Sequence, residues 1–279
     1  MQTVTSEPTT GPKMTTVAEP MVESPPTAPD TTPEAPQAPV EQAAPPREAS
    51  TILGGIRRWF DNSAREYSEA EIADRYAVDW VRIIPYIALH LICFSVIWVG
   101  WSAIAVGVAA ALYVVHMFAI TAFYHRYFSH RTYRTSRFWQ FVFGVIGCSA
   151  VQRGPIWWAA RHRHHHRHSD EEVDVHSPIR HGFYWSHVGW ITSKSAYGFD
   201  AKAVTDLMKF PELRFRNRFD MIIPAIEAVA LYMLGVVLQR YGWNTTGWQM
   251  LIWGFFISII CSSHATYTIN SLMHLWGRK

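Results

Sequence analysis

The sequence predicts an all-α membrane protein, with four transmembrane helices carrying a cytoplasmic histidine-rich helical cap. Three observations carry that expectation. From Ile83 to Tyr124 there are forty-two residues without one Asp, Glu, Lys or Arg, about twice the roughly 20 residues that cross the hydrocarbon layer. A second apolar pair, Met221 to Gln239 and Trp248 to Thr266, is separated by a polar, glycine-containing turn. Ten of the 14 histidines gather between residues 125 and 187, outside those stretches.

Residues 1–50 hold eleven of the 16 prolines, seven acidic residues against two basic ones, and neither an aromatic residue nor a histidine. Such a segment buries too little apolar surface to offset its chain entropy, so it reads as a disordered acidic tail. It also lacks the apolar core of a secretory signal peptide. Removing its charge of −5 from the net +3 leaves +8 on the rest, which carries all 13 Trp, 12 Tyr and 15 Phe. That composition argues against an ordinary water-soluble domain. Residues 51–82 read as a cytoplasmic amphipathic segment before the membrane, and residues 83–279 as the membrane domain.

Within it the spans are expected at 83–101, 103–124, 221–239 and 248–266, with the first hairpin turning near Gly100 to Ser102. The apolar run Phe138 to Val151 has fourteen residues, too few to cross, and is expected to lie in the interface. Lys and Arg counts set the orientation. Arg57, Arg58, Arg65, Arg75 and Arg82 precede the first span, Arg126, Arg131, Arg134 and Arg137 follow the second, and Lys209, Arg214, Arg216 and Arg218 precede the third. The opposite side offers Arg240. Both termini and the cap, 125–220, are therefore expected on the cytoplasmic side. The three cysteines, Cys93, Cys148 and Cys261, form no C-x-x-C pair, so a metal would rely on other ligands.

Imidazoles supply them. On a helix His162, His165 and His166 stand at i, i+3 and i+4, within about 100° of one another, and are expected to converge on one point. His164 and His168 point the other way and read as solvated or headgroup-facing. His125 and His130 form an H-x-x-x-x-H pair; a spacing of five is about 140° on a regular helix, so the two meet one centre only if the helix ends or distorts between them. Asn270 and His274 lie one turn apart just past the fourth span, and the topology brings all three groups to one membrane face. The bland alternative is a basic surface for lipid headgroups. His90 and His116 fall inside spans and read as core packing, and Glu227 has no evident role. Imidazole suits Fe, Zn and Cu alike.

Four stretches resemble the membrane fatty acid desaturases with histidine boxes, specifically the acyl-CoA Δ9 (stearoyl-CoA type) branch. They are His125-Arg126-Tyr127-Phe128-Ser129-His130-Arg131, Trp158-Ala159-Ala160-Arg161-His162-Arg163-His164-His165-His166-Arg167-His168-Ser169-Asp170, Phe183-Tyr184-Trp185-Ser186-His187-Val188-Gly189-Trp190 and Asn270-Ser271-Leu272-Met273-His274-Leu275-Trp276-Gly277. The resemblance implies a diiron (two Fe2+) centre bound by nine histidines, with His125, His130, His162, His165, His166 and His274 as ligands and Asn270 reaching the metal through water. It departs at Arg161, where the family usually has Asp or an apolar residue. The chain reaches Lys279 before an H-x-x-H-H third box, so three of the nine ligands are missing and this chain alone is expected to be inactive.

The implied activity is O2-dependent insertion of a cis double bond, Δ9, into a long-chain acyl thioester, acyl-CoA, with acyl carrier protein and intact lipid as other carriers. Arg180 and Lys194 are candidate contacts to the CoA phosphates, with flanking charge as the competing explanation. No H-P-G-G or ferredoxin-like cysteine set occurs, so the electrons are expected from a separate donor of cytochrome b5, ferredoxin or rubredoxin type with its reductase. Membrane lipid is a partner and nucleic acid is not. The implied location is an integral membrane protein with its site at the cytoplasmic face of a bacterial inner membrane or the endoplasmic reticulum. The alternatives are a related histidine-box hydroxylase or alkane monooxygenase, then a non-enzymatic metal-binding or transport protein, which would place its ligands inside the spans.

Overall fold

The computed structural model describes residues 52–64, 67 and 69–276, all within the unit Arg47–Lys279. The acidic tail read at 1–50, Arg65, and Gly277 of the last motif lie outside the described residues. Helix α1 (Ile52–Phe60) precedes α2 (Trp80–Val99), α3 (Ala103–Ser129), α4 (Arg137–Ser149), α5 (Pro155–Arg167), α6 (Pro211–Arg218), α7 (Ile222–Arg240) and α8 (Gly247–Leu275), with loops and short helical segments between them, the longest joining α5 to α6. Helices α2, α3, α7 and α8 are long and apolar enough to cross a membrane. The chain is thus an all-helical membrane protein with four candidate spans. Helix α8 packs against α2, α3 and α7 and is the most buried of the four, whereas α2 holds no buried residue over its span window.

Local chemistry sets the starts of these helices. Asp79 Oδ1 accepts from the backbone N–H of Val81 and Arg82 and opens α2. Ser102 Oγ accepts from Ala105 N–H at 3.0 Å and opens α3, while its own hydroxyl donates to Thr245. Thr246 and Gln249 form a reciprocal capping box at the start of α8, satisfying donors that a helix end leaves orphaned. The Gln249 side chain also donates to Val99 O, and Trp253 Nε1 to Gly100 O, both at 3.0 Å, which fastens the two hairpins at their turns. At Gly235 a Cβ would lie 2.5 Å from Thr246 O, so only glycine admits the close passage of α7 by the start of α8. Trp98, Trp101, Tyr241, Trp243 and Trp248 are exposed around this end, where amphipathic rings suit a membrane boundary.

At the other end α4, α5 and α6 sit on the continuation of α3. Tyr124, Phe128, Ile156 and Leu213 are fully buried there. The Tyr124 ring is seated against Gly147, where a Cβ would fall 2.0 Å from a ring carbon. Helix α5 begins at Pro155, whose lack of an N–H costs nothing in a first turn, and its N-terminus is capped from a distance: Asn217 Oδ1 accepts the Trp157 N–H at 2.8 Å. Asn217→Ala removes that acceptor and is expected to destabilise the protein by about 1 kcal/mol. Thermal unfolding of the purified protein in detergent checks it; an unchanged midpoint would show that the cap contributes nothing.

Candidate metal centre

The distortion that the His125–His130 spacing requires is present. From Ala119 to Ser129 the last stretch of α3 is a π-helix, with i→i+5 bonds. His130 N–H donates to His125 O at 3.1 Å, and Ser129 Oγ donates to Tyr124 O at 2.8 Å. Residues five apart therefore stack, and the His125 and His130 rings meet with centres 4.5 Å apart. Helix α5 brings His162 and His166 to the same place. His130 Nε2 is 3.1 Å from both His125 Nε2 and His162 Nε2, and one nitrogen from each of the four rings lies within 4.8 Å of the others.

Arg163 holds this arrangement. Its guanidinium donates to the carbonyls of Phe128 and Ser129 at the end of α3, to Ala203 O, and to both oxygens of Asp206. A residue that reads in sequence as one more basic side chain among histidines thus ties α5 to α3.

His165 does not join His162 and His166; the expected convergence of three α5 imidazoles on one point gives way to a division between two groups. The His162 and His165 rings are 6.5 Å apart, and His165 instead faces His176 and His274, each at 5.2 Å. The cause is Asp174, both of whose oxygens lie 3.0 Å from His165 Nδ1. Burial alone would raise the Asp174 pKa, but hydrogen bonds from His165, His176 and the Asp170 N–H outweigh it and hold the carboxyl well below the usual range. As an ionised acceptor it fixes the proton on Nδ1 and leaves Nε2 with its lone pair outward, the usual support for a metal-ligating histidine. His274 repeats the pattern, with Nδ1 3.2 Å from Asp170 Oδ1.

Electrostatics favour neutral rings. Burial, followed by the neighbouring rings of His166, His125 and His130, pulls the His162 pKa down to about 2. Burial likewise lowers His166, and takes His176 to about 4 against the opposing hydrogen bond of Asp174. Unprotonated nitrogens at such separations are what a divalent metal binds. His164 stands apart, its Nε2 3.3 Å from Val173 O and its ring beside His168.

A cavity adjoins both groups. Its walls include Trp157, Trp158, Trp190, Tyr86 and Tyr267, and it reaches His162, His165, His176 and Asn270. Arg180 and Lys194, the candidate contacts to the CoA phosphates, are not among its lining residues: Arg180 Nε donates to Asp170 O, and Lys194 Nζ pairs with Glu71 at 2.6 Å.

Asp174 and His176 escaped the sequence reading, although an Asp-Val-His run so soon after the densest histidine cluster is the available signal. So did His264, six residues before Asn270 on the same helix. It joins His90 Nε2 at 3.0 Å through its Nε2 and His187 Nε2 at 3.1 Å through its Nδ1. His90 Nδ1 lies 2.8 Å from the carbonyl of Tyr86, so Nδ1 carries a proton there. His90 is therefore a polar link between α2 and α8. His116, by contrast, is fully buried, with Nε2 3.4 Å from Glu227, which gives that carboxyl a partner across α3 and α7.

Two groups of clustered imidazoles beside a cavity bearing five Trp and Tyr rings, at one end of four candidate spans, are consistent with metal binding in a helical membrane protein of the histidine-cluster class. Residues 99–279 match the family model described as fatty acid desaturase. The chain is 32% identical over 205 residues to the sn-1 stearoyl-lipid 9-desaturase of Anabaena variabilis, covering 72% of this chain and 71% of that protein. It is 30% identical over 215 residues to an acyl-CoA 5-desaturase of Anemone leveillei (73% and 60%), and 31% identical over 215 residues to the chloroplastic palmitoyl-monogalactosyldiacylglycerol delta-7 desaturase of Arabidopsis thaliana (73% and 52%). The chain belongs to the fatty acid desaturase family. It spans between about half and 71% of the length of these relatives.

Proposed function

We propose that the protein is an O2-dependent fatty acyl desaturase that places a cis double bond, at Δ9, in a long-chain acyl thioester, acyl-CoA. One observation carries the reading: the imidazoles of His162 and His165, one from each histidine group, line a cavity whose walls combine the rings of Tyr86, Trp157, Trp158, Trp190 and Tyr267 with the polar side chains of Arg82, Arg153 and Arg161. A long alkyl chain suits those walls, and few other substrates need both an apolar slot and a nitrogen-rich metal site.

The donor set fits iron. His125, His130, His162 and His166 would hold one ion, and His165 and His274 would contribute to a second, with Asn270 reaching it through water. When bound, the pair supplies the O2 chemistry that removes two hydrogens from adjacent methylenes. The protein's own part is positional. Asp174 and Asp170 hold the Nδ1 protons of His165 and His274, burial disfavours the charged forms of His162 and His166, and Trp157, Trp158 and Trp190 line the slot where the alkyl chain would lie shielded from water. The balance –CH2–CH2– + O2 + 2e− + 2H+ → –CH=CH– + 2H2O requires two electrons per turnover, which we assign to a one-electron-carrier protein. The excess of Lys and Arg in the loops flanking the histidine-bearing end supports a cytoplasmic placement of that end.

Expression of the gene in a host lacking its own desaturase, followed by gas chromatography–mass spectrometry of total fatty acids, tests this. With the parent gene expressed at its full length, a new cis-Δ9 monoene is expected. A hydroxylated chain would favour the monooxygenase reading, and a cis bond elsewhere would keep the chemistry and correct the position.

A further inference from the structure

The first histidine group has two openings. His162 faces the aromatic cavity, whereas His130 and His166 line a separate, open groove together with Arg163, Arg167, Lys202 and Ala203. His130, His166, Arg167 and Lys202 are all exposed. The groove's charge is lopsided. Asp206 takes hydrogen bonds from both Arg163 and Arg131, while Arg167 Nε turns back on the carbonyl of Arg163 in its own helix. Asp206 thus answers Arg163 and Arg131, while Arg167 and Lys202 add exposed positive charge to a groove whose lining residues include no carboxylate, the nearby Asp200 accepting the Lys202 backbone N–H, and ligand-type imidazole edges stand exposed beside them.

An alkyl chain gains nothing from such a lining, and the separate cavity with its Trp and Tyr walls already reaches the same group at His162. We infer that this groove is the docking surface for an acidic one-electron-carrier protein, which it brings against the exposed edges of His130 and His166. The inference rests on the desaturase reading and assigns the surface for the carrier which that reading requires. Each turnover consumes two electrons, so a one-electron carrier docks twice, is oxidised on each visit and leaves. A small, polar and electrostatically steered contact suits that exchange, since redox encounters lie at the low end of interface sizes and charges around their rim act mainly on association rate. Contact with imidazole edges also keeps the electron's path short.

The test uses the full protein, iron-loaded in nanodiscs without substrate, and reads carrier binding by biolayer interferometry. The probes are a plant-type [2Fe–2S] ferredoxin and the haem domain of cytochrome b5, both acidic, with basic cytochrome c as the control. At least one acidic carrier is expected to bind, and to weaken at least about tenfold between roughly 20 and 200 mM salt. The pair R167E with K202E should weaken it by about tenfold or more at low salt. The same pair should leave iron content and the rate of dithionite reduction unchanged, which shows that the site itself is intact. R240E, at the opposite end of α7, should have no effect. Equal binding of cytochrome c, binding indifferent to the paired reversal, or an equal loss in R240E would each overturn the assignment. Because binding is measured without turnover, a protein that docks the acidic carriers yet yields no monoene in the host assay fails the desaturase reading alone.

Discussion

Alanine at His125, His130, His162, His165, His166 or His274 should lower monoene formation by at least about 100-fold, whereas His164→Ala stays within about threefold of the parent. Loss of an outer-sphere partner alone typically costs 10–100-fold, and each of the six replacements removes a proposed ligand outright. His164 sits within the same run of imidazoles but outside both groups, facing Val173 O and His168, so it serves as an internal control for composition and helix propensity. Product per unit of membrane protein, together with iron content of the purified variants, decides the matter. If His164→Ala and His165→Ala were equally damaging, the division of this helix into ligand and non-ligand faces would be wrong.

Asp174→Asn should reduce iron affinity and turnover by about 10- to 100-fold without unfolding the protein. The substitution is nearly isosteric but replaces an acceptor-only carboxylate by a group that can present N–H to His165. If the amide donates to Nδ1, the imidazole proton moves to Nε2, and the nitrogen directed at the proposed metal position loses its lone pair. His176 would lose its acceptor at the same time. Iron titration followed by competition with a chelator measures the effect. Wild-type affinity in the asparagine variant would mean that His165 does not depend on the carboxylate for its tautomer.

The four spans were legible because hydropathy is additive along a chain: forty-two consecutive residues without an ionised side chain leave few alternatives to a hairpin. The π-helical segment was half legible. A spacing of five is incompatible with a shared site on a regular helix, which demanded some distortion without specifying its kind. What could not be read depends on contacts between distant segments. Asp174 reaches His165 only after the loop beyond α5 folds back, and Asn217 caps α5 from sixty residues away. Glu227 finds His116 only when α3 and α7 pack together. His264 was overlooked because one imidazole barely alters the hydropathy of the helix, and its partners His90 and His187 come from distant segments, with Tyr267 alone one turn along the same helix.

The widened turn at the end of α3 also changes how ligand spacing should be used as a ruler. In that stretch one residue more than usual fits into each hydrogen-bonded loop, so His125 and His130 overlie each other as residues four apart do in an ordinary helix. Excising one residue between them and restoring the tighter ladder would keep the two imidazoles stacked while shifting Tyr127 and Phe128 relative to α4 and α5. The length of such a motif can therefore differ by one residue while the two proposed ligands stay together, and the neighbouring helices, through the seat of Tyr124 on Gly147 and the grasp of Arg163 on Phe128 and Ser129, hold the longer version here.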